Sequence, residues 1–252
     1  MEIEATLSKP LRILVIVAHP DDIEFGAAGS VIRWTDAGAE VTYCMITDGA
    51  AGSNDKDVVY AELVKRRQEE QNAAAKIAGV KEVRYLGYAD GTLEPTLKLR
   101  LELTRLIREI RPDRVLINDP TMILLQNEEF NYINHPDHIA GATAALYAVF
   151  PSAESRPIFA ELLNEGLEPW HVEELFLMFS DKPNLAVDVS AVHERKIMAL
   201  LCHRSQLDEE AAEFVTMFDG AGGKAAGVEF AETFRVMRFV NEPQAAKDDP
   251  AD

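Results

Sequence analysis

The sequence predicts an α/β, Rossmann-like three-layer fold with a mostly parallel central sheet and C-terminal additions. Three observations carry this expectation. Short apolar runs rich in Val and Ile alternate with longer helical patterns from Leu11 to Asn118, as strand–helix–strand units require. The first run, Leu11–Val17, is continuous rather than alternating, as in a strand covered on both faces by helices. Two of the helical patterns stop at glycine, Gly38 and Gly79, which closes a helix in a left-handed conformation without steric cost.

Taken in order, the Leu11–Val17 strand ends at the turn Ala18–His19–Pro20–Asp21–Asp22, and a helix is expected over Gly26–Ala37. A second strand, Glu40–Ile46, runs into the polar loop Thr47–Asp57. Val58–Ala78 reads as a long helix with apolar positions at Leu63, Val64, Ala74 and Ile77. A strand at Glu82–Leu86, a helix at Leu97–Ile110 and a strand at Asp113–Asn118 follow. Thr121–Asn134 reads as a loop that could lie over the site, followed by a helix over Asp137–Val149. Leu175–Phe179 is expected as a strand and Ala191–His203 as a helix. Gly220–Ala221–Gly222–Gly223 reads as a flexible joint. The organisation expected is a single domain over residues 1–240 and a disordered tail over 241–252.

At 252 residues, with 47% apolar and 27% charged side chains, the chain has the composition of an ordinary globular protein. A formal net charge of −18 lacks the basic footprint of a nucleic-acid partner and disfavours docking on anionic membranes. No apolar run approaches the roughly 18–20 residues that span a bilayer. The first ten residues lack the basic flank and apolar core of a signal peptide. Cys44 and Cys202 lie far apart and read as thiols in a reducing compartment, so the cytoplasm is the expected location.

Chemistry-bearing residues concentrate in two turns. In open α/β sheets a site forms outside the carboxyl ends of the strands, and His19–Pro20–Asp21–Asp22 sits at such an end. A dinucleotide site would place glycines there; imidazole and carboxylate suit a cation instead. Pro20 stiffens the turn, so His19 and Asp22 can present one nitrogen and one oxygen in a fixed relation, a mixture that zinc accepts. The third ligand of a catalytic zinc is sought in His135–Pro136–Asp137–His138, a similar turn at the start of another helix. Each turn alone reads equally well as a helix cap. Both together point to a metal, since only six histidines occur in the chain and three lie in these two turns.

These two motifs resemble the A-H-P-D-D and H-P-D-H motifs of the PIG-L/LmbE-like family of zinc-dependent N-acetylglucosaminyl deacetylases. Further similarity runs through Arg67–Gln68–Glu69–Glu70, Leu86–Gly91, Val187–Val189 and His203–Arg204–Ser205–Gln206, so that the resemblance covers roughly residues 11 to 206. It implies that His19, Asp22 and His138 bind one Zn²⁺ per chain, with another divalent metal such as Fe²⁺ as the alternative. It makes Asp21 the general base and His135 the group that polarises the oxyanion, as imidazolium in that reading. Asp137 would orient a histidine, and Arg67 and Asp90 would contact the sugar. A competing reading exchanges the roles of His135 and His138, because residues three apart on a helix share a face.

Plainer roles stand beside these. Asp21 could cap a helix. Arg67 lies beside Arg66 among Glu69 and Glu70, where surface ion pairs are routine. Asp90–Gly91 makes an ordinary turn. His203 could complement a helix dipole, His171 and His193 read as surface or packing residues, and Trp34 reads as core. Two departures from the family pattern stand out. Ala50 occupies a position that is acidic in the motif T-x-G-E-x-G, and Ile133 stands where some members carry an assisting tyrosine, with Tyr132 one place earlier.

The function expected from the resemblance is zinc-dependent hydrolysis of an N-acyl group, chiefly N-acetyl, from a small amino-sugar-containing substrate. The alternative is a zinc-dependent amidase acting on a non-sugar amide or thiol conjugate. A nucleotide-binding Rossmann module lacks its glycine fingerprint here, and a metal-binding scaffold without catalysis would not need Asp21. The expected partner is a small molecule, with no nucleic acid and no membrane. Relatives often form trimers or hexamers, which sets a homo-oligomer as the expectation.

Overall fold

Eight strands form the central sheet of the computed structural model, which describes residues 1–7, 9–126 and 131–239. In chain order the strands are β1 (Glu2–Ile3), β2 (Arg12–Val17), β3 (Glu40–Thr47), β4 (Glu82–Tyr88), β5 (Arg114–Asn118), β6 (Leu124–Gln126), β7 (Asn131–Ile133), β8 (Glu174–Met178), β9 (Leu185–Asp188) and β10 (Ala231–Arg238). The α-helices are α1 (Asp22–Gly26), α2 (Ala28–Asp36), α3 (Tyr60–Ile77), α4 (Leu97–Ile110), α5 (Pro136–Tyr147), α6 (His193–Leu200) and α7 (Glu209–Ala226). The sheet order is β1-β9-β10-β8-β5-β2-β3-β4, and β10 alone in it runs antiparallel to its neighbours. This is the mostly parallel three-layer arrangement expected from the sequence.

Side chains of β2 alternate between two cores, as strand geometry demands. Ile13, Val15 and Val17 pack with Val31, Ile32 and Trp34 of α2 and with Ala75 of α3. Leu14 and Ile16 face Leu99, Leu103 and Ile107 of α4 and the alanines of α5. Each fully buried aliphatic side chain contributes about 1.5–3 kcal/mol, so β2 is a firm base for the turn that follows it. Trp34 is core, as expected, meeting Phe176 edge-on at 5.7 Å. Strand order reverses at β2, whose neighbours β3 and β5 lead to opposite edges of the sheet. The crevice at its carboxyl end is therefore the expected place for a site.

Several expectations are corrected. The helix expected over Gly26–Ala37 is α2, and the short α1, which was not expected, precedes it across a break at Ala27, where φ is −150°. Glu232 of β10 accepts from the Gly29 and Ser30 N–H groups at 2.9 and 2.6 Å and so caps α2. The Thr121–Asn134 loop contains the antiparallel β6–β7 ladder on the described part of its length. Gly220–Gly223 is no joint but lies inside α7. A Cβ on Gly222 or Gly223 would come within 2.3 Å of the Ala231 or Glu229 carbonyl, so these glycines let the helix lie close to the backbone leading into β10. Strands β1, β9 and β10 extend the sheet beyond the expected elements. The tail at 241–252 lies outside the described residues. Among the described residues no helix is long and apolar enough to cross a membrane.

Candidate active site

Ala18, at the end of β2, is tied to β3 by the Thr47 N–H and hydroxyl, which donate to its carbonyl at 2.9 and 2.8 Å. Beyond it the chain turns sharply into α1 through Asp21, whose φ of +91° lies in the left-handed region. For a residue other than glycine this costs about 1–2 kcal/mol and marks a position that the surroundings hold in place. Asp21 occupies the N-cap position of α1, yet its carboxylate makes no capping bond. Asp22, the first residue of α1, accepts the His19 N–H through Oδ2 at 2.9 Å.

The second turn meets the first from across the crevice. His135 is the N-cap of α5, its Nδ1 accepting the Asp137 N–H at 3.2 Å, with Pro136 in the first turn. His19 lies 4.6 Å from His135 and 5.1 Å from His138, ring centre to ring centre.

His19, Asp22 and His138 point their polar atoms at one spot. His138 Nε2 is 3.0 Å from Asp22 Oδ1 and 3.2 Å from His19 Nδ1, and His19 Nδ1 is 3.8 Å from Asp22 Oδ2. An ion with bonds of about 2.0–2.1 Å in tetrahedral geometry sets its ligands roughly 3.3 Å apart, and the observed separations bracket that value. The outer ring nitrogens are engaged elsewhere. His19 Nε2 is 3.0 Å from Asp90 Oδ1 and 3.4 Å from Asp137 Oδ2. His138 Nδ1 is 3.0 Å from the carboxamide oxygen of Asn134. With their protons on those outer nitrogens, both rings turn lone pairs toward each other, an arrangement that calls for a cation between them. These three residues could hold a metal ion.

A second cluster, His19, His135 and Asp137, also lies within ligand distance, but its atoms are already committed. Asp137 Oδ2 accepts the Gly91 N–H at 2.7 Å and Oδ1 the Leu93 N–H at 3.0 Å. His135 Nδ1 accepts from Asp137, which leaves the proton of a neutral ring on Nε2.

Electrostatics match a cation site. Burial disfavours charge on His19, but Asp137, Asp22 and Asp90 outweigh it and push its pKa up to about 12. Burial would raise Asp22, yet His138 and His19 hold its carboxyl well below the usual range. Asp21 is pushed up to about 6, chiefly by burial, against the pull of the Arg67 guanidinium. Burial and the neighbouring His19 and His138 hold His135 below its ordinary value.

Arg67 is not a surface residue. It is 4% exposed and donates to the Pro20 carbonyl and the Gly49 carbonyl, both at 2.8 Å, and to Asp21 Oδ2 at 3.1 Å. A Cβ on Gly52 would come within 2.7 Å of its Nη1, so the loop glycines make room for the guanidinium. Asp90, besides facing His19, accepts the Ala51 N–H through Oδ2 at 3.0 Å. All seven site residues expected from the sequence, His19, Asp21, Asp22, Arg67, Asp90, His135 and His138, therefore meet around one crevice.

Sequence reasoning missed Asn134, Gln71 and Glu24. Asn134 directly precedes the second motif, and its oxygen also accepts the His135 N–H at 2.9 Å. Gln71 lies one helical turn beyond Arg67 and accepts the Asp21 N–H at 3.0 Å. Glu24 is fully buried, with His203 Nε2 at 3.1 Å; its place two residues after Asp22 is visible in the sequence, but its burial and partners are not.

Residues 14–149 match the family model described as GlcNAc-PI de-N-acetylase. The chain is 34% identical over 234 residues to the diacetylchitobiose deacetylase of Thermococcus kodakarensis, covering 90% of this chain and 83% of that protein. It is 30% identical to a probable N-acetyl-alpha-D-glucosaminyl L-malate deacetylase 2 of Bacillus cereus, covering 78% and 84% respectively. The N,N'-diacetylchitobiose deacetylase from Pyrococcus horikoshii superposes with a TM-score of 0.82 at 32% identity, over 90% of this chain and 84% of that one.

Proposed function

The chain belongs to this GlcNAc-PI de-N-acetylase (PIG-L) family of amide-bond hydrolases, and from that premise we propose that it is a zinc enzyme removing the acetyl group from a small N-acetylglucosaminyl compound. The observation that carries the proposal is the convergence of His19 Nδ1, His138 Nε2 and the Asp22 carboxylate, with Asp21 in the same turn. Two neutral imidazoles and one carboxylate are the donor set of many catalytic zinc sites, which keep a further position open. When bound, zinc supplies Lewis acidity toward the amide carbonyl and toward water.

The side chains supply the rest. Asp21 takes a proton from the attacking water as the carbon–oxygen bond forms at the acyl carbon. A raised pKa suits that task, because a general base works best when poised near the operating pH. His135 donates from Nε2 to the developing oxyanion; its Nδ1 contact with the Asp137 N–H supports a neutral ring rather than the imidazolium first expected. The carbon–nitrogen bond then breaks, and the proton held by Asp21 passes to the leaving amine, releasing acetate and the free amino sugar. Arg67 supports this reading by holding Asp21, and Asp90 by fixing the His19 ring; their remaining hydrogen-bonding capacity would serve the sugar. His138 rather than His135 is the third ligand in this proposal, because Nε2 of His138 faces both His19 Nδ1 and Asp22 Oδ1, whereas Nδ1 of His135 already accepts the Asp137 N–H.

Asp21→Ala tests it. The variant should keep about one zinc per chain while acetate release from N-acetylglucosaminyl compounds falls by about 10²–10⁴-fold. Undiminished activity would remove Asp21 from its role. Wild-type protein that releases acid from simple amides but from no N-acetylated sugar would establish the amidase alternative instead.

A further inference from the structure

The left-handed conformation of Asp21 needs a restraint, because side chains other than glycine rarely adopt it. Two residues one helical turn apart on α3 provide one. Arg67 Nη2 donates to the Pro20 carbonyl at 2.8 Å, and Gln71 Oε1 accepts the Asp21 N–H at 3.0 Å. Those are the two polar ends of a single peptide unit, so its plane is gripped from both sides. Rotating it would break both bonds and re-aim the Asp21 carboxylate. Positions i and i+4 share a helix face, which is why one helix can supply both grips.

Gln71 can do this only with its carboxamide one way round, since the opposite orientation would set its NH₂ group against the Asp21 N–H. Glu24 fixes the orientation by accepting from Gln71 Nε2 at 3.2 Å. The other oxygen of Glu24 faces His203 Nε2 at 3.1 Å. Glu24, Gln71 and His203 are all fully buried, so each polar group depends on its protein partner. The turn that carries His203 is itself docked on α3, where the Ser205 N–H and hydroxyl donate to Glu70 at 2.9 and 2.6 Å.

We infer that Glu24, Gln71 and His203 are positioning residues that hold the Pro20–Asp21 peptide, and with it the Asp21 carboxylate, in its working orientation. This rests on Asp21 being the general base. It assigns a task to the His203–Gln206 segment, which the metal site and the base leave without one. His19 is held by β2 and by Asp90 and Asp137, and Asp22 by α1, so disturbing the peptide between them should displace Asp21 before it displaces the metal.

The test exploits the equal size of Gln and Glu. Gln71→Glu sets two carboxylates against each other, whereas the exchange Glu24→Gln with Gln71→Glu rebuilds the chain. In the exchanged protein the residue 71 carboxylate accepts from both the Asp21 N–H and the amide at position 24, whose oxygen still accepts from His203. Acetate release by Gln71→Glu should show kcat lowered by about 10–100-fold, the scale of a misplacement near 1 Å, with KM and zinc per chain unchanged. The exchanged protein should regain most of the lost kcat. Wild-type kcat in Gln71→Glu, or an exchanged protein no better than the single variant, would overturn the inference. Amide hydrogen exchange gives a readout independent of activity and of any variant. The Asp21 N–H should be strongly protected in the wild-type protein, and rapid exchange would overturn the positioning chain even if deacetylation were established.

Discussion

Replacing Asn134 by leucine should loosen the metal without touching a ligand. The carboxamide oxygen of Asn134 is 3.0 Å from His138 Nδ1 and 2.9 Å from the His135 N–H, and its NH₂ group donates to the Met122 carbonyl at 2.8 Å. Leucine fills similar space and offers none of these bonds. Losing the outer partner of a metal-bound histidine weakens binding by about 10–100-fold, or about 1.4–2.7 kcal/mol. Two backbone groups near a 9%-exposed side chain also lose their partner. At about 1–3 kcal/mol each, a total near 2–6 kcal/mol should lower Tm by roughly 4–24 °C for a chain of this size. Asn134→Asp separates the two effects. Its carboxylate still accepts from His138 and His135, so zinc should bind at least as tightly, while repulsion from the Met122 carbonyl lowers Tm. Competition against a zinc-chelating dye and thermal melting measure both quantities. Wild-type zinc affinity in Asn134→Leu, or equal metal loss in both variants, would refute the assignment of the His138 orientation to Asn134.

Other outcomes follow from the charges. Because burial pushes Asp21 up to about 6 against the pull of Arg67, kcat/KM should fall as pH drops below about 6 and the base takes up a proton. Arg67→Met removes the cation that opposes this shift, so that limb should move to higher pH; a limb that stays put would detach it from Asp21. Away from the crevice, Lys196 is fully buried between Asp219 and Glu232, with 2.8 Å to each. Lys196→Met should cost about 3–5 kcal/mol by leaving buried carboxylates without a cation, seen as a Tm fall of roughly 6–20 °C. Burial, against the pull of Lys196, raises Asp219 from 3.8 to about 7. The folded state thus binds that proton more tightly than the unfolded chain, and the stability this confers is fully present below pH 3.8 and lost as pH rises through about 7. Asp219→Asn should flatten that part of the stability–pH curve.

The parts legible in the sequence were those governed by neighbours in the chain. The unbroken apolar run of β2 announced a two-sided strand, and a proline-stiffened turn carrying His19 and Asp22 pointed to the cluster with His138 that could hold a metal ion. What stayed hidden depended on residues brought together from afar. Gln71 meets Glu24 across 47 positions, and Glu24 meets His203 across 179; no local pattern encodes either contact. Only the resemblance singles out Arg67; by charge pattern it matches Arg66 on a charged helix, and its burial against Pro20 and Gly49 is what separates the two physically. The Gly222–Gly223 pair suggested flexibility, whereas the fold uses it to seat α7 beside the backbone that enters β10. Strand β10 escaped notice because it has the mixed burial of a strand near one edge of the sheet rather than a continuous apolar run.

X-ray absorption at the zinc edge tests the metal centre most directly, measured on the loaded wild-type protein, His138→Ala and His135→Ala. The expected spectrum shows about one zinc per chain with two imidazole nitrogens and oxygen donors, losing one imidazole in His138→Ala and keeping both in His135→Ala. Loss of an imidazole in His135→Ala with none lost in His138→Ala, or a wild-type protein that takes up no zinc, would contradict the ligand set of His19, Asp22 and His138.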